Sequence, residues 1–229
     1  MMHVEKRELV VPGQLIAEGD YKLGDGVFKD DNVIRASQMG LADKRGNKIR
    51  VIPLEGRYIP KEGDRVIGIA VDDYHAGWML EINAPYLGNL SVSSLLQRKV
   101  DLDKEDISKF LEVGDAVEAR IQDVDELMKI LLEVTENEKG RISGGRLVEI
   151  NPSRIPRVIG RKGSMISILQ KEGECELSVG QNGRIMVWGD DKKKVNKVIE
   201  AIFKIEREAH ISGLTDRIKE FLQKDSKGG

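Results

Sequence analysis

The sequence predicts a multidomain protein that is mainly β, with an α+β unit at its C-terminal end. At 229 residues the chain is longer than the ~100–150 residues of a typical domain. Short apolar runs separated by glycines fill its first 140 positions, which favours strands over helices. Beyond residue 145 the apolar spacing changes to include that of helices. We therefore divide the chain into residues 1–60, 61–140 and 145–229.

The first segment, residues 1–60, has the pattern of a small β-domain. Short apolar runs lie at 9–11, 33–34 and 49–52, with glycines between them. The tetrapeptide Lys44-Arg45-Gly46-Asn47 separates two such runs. Because Gly and Asn tolerate the positive φ of tight turns, we expect a hairpin there.

The second segment, residues 61–140, has the pattern of a five-stranded barrel. Alternation or glycine-bounded apolar runs place strands at 65–71, 77–82, 88–92, 115–124 and 128–134. Residues 101–111, between the third and fourth strands, are predicted to form a loop and a short helix. Five short strands of this kind are typical of a small closed barrel.

The third segment, residues 145–229, predicts the order β-α-α-β-β-α. Strands are expected at 146–150, 175–179 and 184–188, and helices at 152–159, at 164–171 and after residue 190. Asp190 is the predicted cap of the last helix, whose apolar stripe includes Val195, Val198 and Ile202. Cys175 is the only cysteine, so an internal disulfide is excluded, and its neighbours indicate a strand core position.

Charge is distributed unevenly along the chain, although the net charge is only -2. Residues 145–229 contain 17 lysines and arginines against 12 acidic residues, while residues 1–144 contain 20 against 27. The C-terminal segment is therefore basic and the rest acidic. A basic segment favours a polyanionic partner such as nucleic acid.

The loop Gly160-Arg161-Lys162-Gly163 stands between the two predicted helices of the third segment. Its glycines let the backbone turn and let a sugar-phosphate chain approach closely, and the following helix, which begins with Ser164, directs N–H groups toward anions. Arg154 and Arg157 add charge, and residues 150–170 contain no acidic side chain. A bare G-x-x-G is common and usually marks a turn, so the β-α-α-β-β-α context carries the prediction of nucleic-acid binding.

We call Gly160-Arg161-Lys162-Gly163 the clamp loop. With this loop, the third segment resembles a type I KH domain, whose G-x-x-G loop holds about four nucleotides of backbone. The middle segment resembles the ribosomal S-one type of OB-fold RNA-binding domain. Its matching positions are Gly63-Asp64, Val66, Gly68, Gly77, Gly88, Leu90, Ser93, Gly114-Asp115 and Val117. Adding Val11-Pro12-Gly13 and Gly24-Asp25-Gly26, nearly the whole chain resembles the KH-containing RNA-binding cap subunit of the archaeal exosome.

This resemblance implies a non-catalytic role with defined partners. The N-terminal β-domain would dock on a hexameric ring of phosphorolytic exoribonuclease subunits, with three caps around the pore. The cap would hold single-stranded RNA near the entrance and so raise its effective concentration there.

The barrel offers two sets of candidate RNA contacts. Tyr74, His75 and Trp78 are candidates for base stacking, although a strand tryptophan is more often core. The S-one type usually has a histidine where this chain has Ser91 and an aromatic near Met79, which puts stacking in doubt. Arg98, Lys99 and Arg120 are candidates for phosphate contacts at the pore, and the alternative is that they are solvated surface cations.

Catalytic and cofactor sites are not predicted. His3, His75 and His210 fall in three different segments, which gives no metal-ligand or general-base spacing. The acidic run 101–106 imitates a calcium loop, but its sixth position is Asp106 where such loops need glycine. Neither a Walker-type nucleotide-binding loop nor a dinucleotide-binding fingerprint occurs. We therefore expect no metal and no cofactor.

Two alternative functions stay open at this level. One is a ribonuclease acting through scattered carboxylates, and the other is a free-standing translational or ribosome-associated RNA binder. Charges at positions 5–7 occupy the place where a signal peptide needs an apolar stretch, and no apolar run is long enough to cross a bilayer. We therefore expect a cytoplasmic protein without membrane contact.

Overall fold

The chain folds into two compact units, Met1–Gly56 and Arg57–Gly229. The computed structural model describes residues 1–54, 56–101, 104–209, 211 and 213–223. Thirteen of the sixteen named strands lie before residue 145, and most helical residues lie after residue 150. This is the predicted fold class, mainly β with an α+β unit at the C-terminal end. Within the described residues no helix has the length and apolarity that crossing a membrane requires.

The first unit is built from two small sheets of short strands. The strands are β1 (Leu9–Val10), β2 (Leu15–Glu18), β3 (Lys22–Leu23), β4 (Val27–Asp30), β5 (Val33–Ala36), β6 (Gly40–Arg45) and β7 (Lys48–Pro53). One sheet has the order β1-β6-β7-β3 and the other β2-β5-β4. Val10, Ile16, Ile34, Ile49 and Val51 fill the core. The predicted hairpin is confirmed, because β6 and β7 pair up to Arg45 and Lys48 around Gly46.

The second unit begins with a closed five-stranded barrel. Its elements are β8 (Arg65–Tyr74), β9 (Gly77–Glu81), β10 (Gly88–Ser91), α1 (Val92–Leu96), β11 (Ala116–Val124), β12 (Ile130–Glu133) and β13 (Gly140–Ile142). Strand β12 closes the barrel by pairing in parallel with β10 and antiparallel with β11. Strand β13 pairs with the first half of β11 and was not predicted. The expected helix in residues 101–111 is a single 3-10 turn, Ile107–Lys109.

The C-terminal part of the second unit has the predicted β-α-α-β-β-α order. Its elements are β14 (Arg146–Glu149), α2 (Ile155–Ile159), α3 (Ser164–Gly173), β15 (Glu176–Val179), β16 (Arg184–Trp188), α4 (Lys192–Arg207) and an added α5 (Leu214–Gln223). The sheet order β14-β16-β15 is antiparallel throughout. Asp191, not the predicted Asp190, caps α4, because its carboxylate accepts the N–H of Lys193 at 2.8 Å.

The core of this part lies between the sheet and the helices. The stripe Val195, Val198, Ile202 and Ile205 is buried as predicted, and Cys175 is buried at the same core, one residue before β15. Helix α5 adds Leu214, Ile218 and Leu222 to it. Because this core holds the sheet and α2–α3 rigidly, it fixes the loop between those two helices.

A buried side chain joins the barrel to the C-terminal sheet within the second unit. Asn182, in the β15–β16 turn, is fully buried. Its amide donates to the carbonyls of Ile67 and Ile82, each at 2.9 Å, and its oxygen accepts the N–H of Ile67 at 3.3 Å. Asn83 donates to the Asn182 carbonyl at 2.7 Å. We call this set of contacts the Asn182 latch.

Arg184 strengthens the same junction. This side chain is 5% exposed, donates to the carbonyl of Glu81 at 2.7 Å and forms ion pairs with the carboxylates of Glu81 and Glu149. A buried guanidinium is stable only when its donors are satisfied, and here residues from the barrel and from the C-terminal sheet satisfy them together. The barrel and the C-terminal part therefore form one rigid body.

Candidate nucleic-acid interface

The backbone of the clamp loop has positive φ angles at three of its four positions. Gly160 ends α2 with φ 76° and ψ 175°, and its N–H donates to the carbonyl of Pro156 at 3.0 Å. Lys162 follows with φ 53° and ψ 34°, and Gly163 with φ 78° and ψ 11°. A Cβ on Gly160 would lie 2.6 Å from the backbone nitrogen of Met165, closer than real atoms approach. The loop thus passes tightly over the start of α3.

Helix α3 leaves its N-terminus open toward the loop. Within the described chain no side chain caps this end, where Gly163 is the N-cap residue. The Ser167 hydroxyl donates to the Gly163 carbonyl at 2.9 Å and so ties the loop to the helix. Free first-turn N–H groups and the helix dipole favour an anion at this position, and Ser164 is exposed beside it.

The predicted cations lie in the clamp loop and in the short segment just before it. Arg157, Arg161 and Lys162 are exposed and Arg154 is half-buried. None of the four forms an ion pair with another described residue, unlike Arg98, Arg120, Arg184 and Lys194. Their charge is therefore available to phosphates. A non-glycine residue at positive φ, as at Lys162, is the kind of strained backbone that clusters at ligand sites.

A cleft lies beside the clamp loop, between the C-terminal helices and sheet and the outer face of the barrel. It has a volume of about 420 Å³. The C-terminal part contributes Ile159 and Ile166, which flank the clamp loop, and the strand β15 residues Leu177, Ser178 and Val179. Arg65, Glu118, Arg120 and Lys139 line the barrel side. The cleft is thus apolar on one wall and charged on the other.

Ion pairs organise the charged wall. Glu138 accepts two hydrogen bonds from Arg120, at 3.1 and 2.9 Å, and lies 3.8 Å from Arg65. Burial raises the pKa of Glu138, but hydrogen bonds from Thr135 and Arg120 outweigh that effect and lower it. Glu138 is therefore charged at neutral pH and partly neutralises the predicted contact Arg120. A guanidinium has five donors, so Arg120 keeps others for a phosphate at the cleft.

Trp78 is a correction to the predicted stacking residues. The indole is 1% exposed inside the barrel, and its N–H donates to the carbonyl of Leu111 at 3.0 Å. A buried ring offers no face to a base, so the prediction that Trp78 stacks on RNA is wrong and the core alternative holds. Alternation predicts this outcome, because Trp78, Leu80 and Ile82 share one face of the strand.

Tyr74 and His75 lie at the tip of the β8–β9 hairpin, where both are exposed. Burial of part of the phenol raises the pKa of Tyr74, so it stays neutral at physiological pH. Both rings remain candidates for stacking. Ser91, at the position where the S-one type has histidine, caps α1 by accepting the N–H of Ser94 at 3.1 Å. Its hydroxyl is thereby engaged in local structure.

Arg98 and Lys99 differ from each other in their surroundings. Arg98 forms a two-pronged ion pair with Glu105, with hydrogen bonds of 2.8 and 2.6 Å. Lys99 is exposed and pairs with no described carboxylate. Lys99 is therefore the freer of the two predicted phosphate contacts on the barrel.

Several residues of the cleft were not singled out from the sequence, among them Arg65, Glu118, Lys139 and Ser178. These four come from four elements or loops that are far apart along the chain, so no local motif connects them. The alternation of inward and outward side chains along a strand is the one sequence signal that could have identified some of them. Val117, Ala119 and Ile121 face the barrel core, which places Glu118 and Arg120 together on the outer face.

The histidines and the acidic run 101–106 were considered as metal ligands and rejected on sequence grounds. Among the described residues, no group of three or more His, Cys, Asp or Glu side chains is placed to hold a metal ion. Asp106 caps the 3-10 turn Ile107–Lys109 by accepting the N–H of Ser108 at 3.1 Å. His210, and Asp103 of the acidic run, lie outside the described residues.

Comparisons with known proteins agree with this arrangement. Residues 7–55 match the family described as "Exosome RNA binding protein RRP4 N-terminal domain", and residues 146–204 match the KH domain family. The chain is 47% identical over 221 residues to the "Exosome complex component Rrp4" of Pyrococcus horikoshii, covering 96% of this chain and 83% of the relative. This chain belongs to the Rrp4 family. The KH match includes the whole clamp loop.

Further Rrp4 relatives and a solved structure support the assignment. The Rrp4 of Methanothermus fervidus is 44% identical over 223 residues, which cover 97% of this chain and 98% of that protein. A crystal structure described as that of an exosome complex RNA-binding protein superposes with a TM-score of 0.69 at 38% identity. It covers 74% of this chain and 97% of its own. The Rrp4 assignment thus rests on sequence and on fold.

Proposed function

We propose that this Rrp4 family member is the non-catalytic RNA-binding component of an exosome. It caps a phosphorolytic 3′–5′ exoribonuclease ring and guides single-stranded RNA into the pore. The Met1–Gly56 unit docks on the ring subunits, three copies surround the pore, and the barrel and KH parts hold the RNA. The proposal places the complex in the cytoplasm.

The clamp loop is the observation that carries the RNA-binding part of this proposal. Four cations without carboxylate partners among the described residues lie in the clamp loop or just before it, and the helix that follows the loop has an uncapped N-terminus. This arrangement suits a phosphate chain and supplies no nucleophile, base or metal site for its cleavage. Holding RNA beside the ring raises its effective concentration at the entrance, which increases processivity without a catalytic group in the cap.

Charge reversal in the clamp loop tests RNA binding. We expect the double variant Arg161→Glu, Lys162→Glu to bind a single-stranded RNA octamer about tenfold more weakly. The slope of log K against log[salt] should become shallower by about 1.4, since two phosphate contacts no longer release counterions. Fluorescence anisotropy with labelled RNA at several salt concentrations measures both quantities.

The matched control is Lys192→Glu, Lys193→Glu, which makes the same change in charge on the exposed first turn of α4. Negative charge near a helix N-terminus is favourable, so this control should fold normally. We expect its RNA affinity and salt slope to change less than those of the loop variant. Equal effects of both variants would show that general charge, and not the clamp loop, drives binding.

Purification from the native cell tests the proposed partners. The tagged full chain should co-purify with phosphorolytic ring subunits, and native mass spectrometry should give three caps per hexameric ring. The purified chain alone, given RNA with phosphate or magnesium, should leave the RNA intact. Recovery without ring subunits, or RNA products that increase with protein concentration, would contradict the proposal.

A further inference from the structure

Two arginines lie side by side on the barrel wall of the cleft. Arg65 of β8 and Arg120 of β11 are directly opposite each other in the antiparallel register of the two strands. Both line the cleft, and their side chains are 37% and 33% exposed. Like charges directly opposite each other destabilise a sheet. The pair therefore needs compensating groups, and it places two cations in the same part of the cleft.

Two buried carboxylates supply this compensation. The Glu138 side chain is fully buried, and its Oε1 accepts hydrogen bonds from Arg120 at 3.1 and 2.9 Å. The Glu118 side chain is 2% exposed, and its Oε1 lies 3.4 Å from Nη1 of Arg65. The carboxylates are thus covered from solvent, while both arginine side chains are partly exposed. This arrangement buries the negative charge and leaves positive charge at the surface of the cleft.

Most of the guanidinium donors stay available. A guanidinium has five N–H donors. The hydrogen bonds of Arg120 to Glu138 use its Nε and Nη2, which leaves its Nη1 without a hydrogen bond to a described residue. Arg65 lies 3.4 Å from Glu118 and 3.8 Å from Glu138, beyond the ~2.7–3.2 Å of a protein hydrogen bond. The buried carboxylates therefore hold both arginines without using up their donors.

Arg65 and Glu138 are themselves held in place. Gln181, in the β15–β16 turn, accepts the N–H of Arg65 with its side chain at 3.1 Å and donates its own N–H to the Arg65 carbonyl at 2.7 Å. The second oxygen of Glu138 accepts the N–H of Thr135 at 3.0 Å. Binding to groups that are already positioned costs less conformational entropy. The arginine pair is thus arranged before a ligand arrives.

We propose that Arg65 and Arg120 together bind one backbone phosphate of single-stranded RNA. Guanidinium groups donate paired hydrogen bonds to phosphate oxygens, a geometry that lysine does not reproduce. This inference rests on the proposed RNA-binding function. It adds a phosphate site on the barrel strands β8 and β11, with Arg65 as a new contact.

The position of the pair favours RNA over a free phosphate ion. The same cleft is bordered by Ile159, which precedes the clamp loop, and by Ile166, which follows it. A strand whose phosphates are held at the clamp loop can therefore continue to the barrel wall, where the arginine pair offers further positive charge. One RNA strand then contacts both the barrel and the KH part, which the Asn182 latch holds together.

Replacing both arginines by lysine tests this site while keeping its charge. The double variant Arg65→Lys, Arg120→Lys retains a cation beside each buried carboxylate, so it should fold, but it loses both guanidinium forks. We expect it to bind the single-stranded RNA octamer about five- to tenfold more weakly. The slope of log K against log[salt] should stay within about 0.3 of the wild-type slope, because the number of charges is unchanged. Fluorescence anisotropy with the full chain measures both quantities.

Arg141→Lys is the matched control. Arg141 belongs to the same barrel, is 42% exposed, pairs with Asp115 at 2.9 Å and is not among the residues that line the cleft. This variant should bind RNA as the wild type does. Thermal unfolding checks that each variant is folded. If the double variant unfolds, the single variant Arg120→Lys takes its place, with an expected loss of affinity of about threefold.

Three outcomes would count against these assignments. A lysine variant that is folded and binds RNA as tightly as the wild type would overturn the phosphate site alone. Isothermal titration with inorganic phosphate identifies the source of the ligand. Phosphate binding that is lost in the lysine variant while RNA affinity is unchanged would mean that the site takes the free ion and not RNA. Failure of the wild type to bind the octamer at all would instead contradict the proposed RNA-binding function.

Discussion

Replacing Asn182 by alanine should lower the free energy of unfolding of the Arg57–Gly229 unit by about 3 kcal/mol or more. The change removes three hydrogen bonds at a fully buried position and leaves the N–H of Ile67 and the carbonyls of Ile67 and Ile82 without this partner. A buried group left unpaired costs about 1–3 kcal/mol. The Ile67 N–H and the Ile82 carbonyl lose their Asn182 partner, while the Ile67 carbonyl keeps Arg184 at 3.3 Å.

Thermal unfolding measures this loss. A domain of 150–250 residues shifts its midpoint by roughly 2–4 °C per kcal/mol, so we expect a decrease of roughly 6–12 °C. Amide hydrogen exchange adds a local measurement, because the Ile67 N–H donates directly to Asn182. Its protection factor should fall more than those of amides in the core of the C-terminal helices.

Asn137→Ala is the control for this prediction. Asn137 is exposed, and its side chain makes no hydrogen bond with a described residue. Surface substitutions of this type usually change stability by less than about 0.5 kcal/mol. A similar midpoint for the two variants would show that the Asn182 latch contributes little, with water replacing the lost side chain.

The contacts of the Asn182 latch could not be predicted from the sequence. The tetrapeptide Gly180-Gln181-Asn182-Gly183 has the composition of an ordinary hairpin turn, and it does connect β15 and β16. Its local pattern predicts the turn because turn chemistry is local. That the same Asn is buried against a strand more than a hundred residues away depends on tertiary packing, which no local pattern records.

Most of the fold could be predicted because it rests on alternation, helical stripes and glycine turns. The five barrel strands and the β-α-α-β-β-α order follow from such patterns. Strand β13 was missed because only three residues, Gly140–Ile142, carry its signal. Trp78 was named as a stacking candidate because aromatic side chains on strands can stack on bases. It lies two residues from Leu80, on the same face of the strand, and this position predicts burial.

The sequence singled out most of the candidate site residues where they are contiguous, and Arg120 is the exception that also lines the cleft. Clamp-loop residues lie together, and the structure leaves their cations free. The cleft combines residues of the barrel with residues of the KH part, so no local sequence pattern marks it. The Asn182 latch gives this cleft a fixed width, since the barrel wall and the KH wall belong to one rigid body.

The two glycines of the clamp loop should respond very differently to substitution. Gly160→Ala should weaken binding of the RNA octamer by about 10- to 100-fold, and Gly163→Asn by about threefold or less. Gly160 has φ 76° and ψ 175°, a region that is essentially restricted to glycine. Its added Cβ would meet the Met165 nitrogen at 2.6 Å and the Met165 Cβ at 2.8 Å. The loop must therefore move off the start of α3.

Gly163 has the left-handed geometry φ 78°, ψ 11°, which asparagine tolerates. Its nearest contact for an added Cβ is Ile166 at 3.8 Å, an ordinary distance. Anisotropy titrations of both variants, with circular dichroism to confirm folding, separate loop geometry from global stability. Equal losses in the two folded variants would mean that RNA needs both positions bare, so that close approach of the sugar-phosphate chain, and not backbone conformation, is what the glycines provide. A larger loss of RNA affinity in Gly160→Ala would mean that the glycine is needed for the turn that directs Arg161 and Lys162 toward the phosphates.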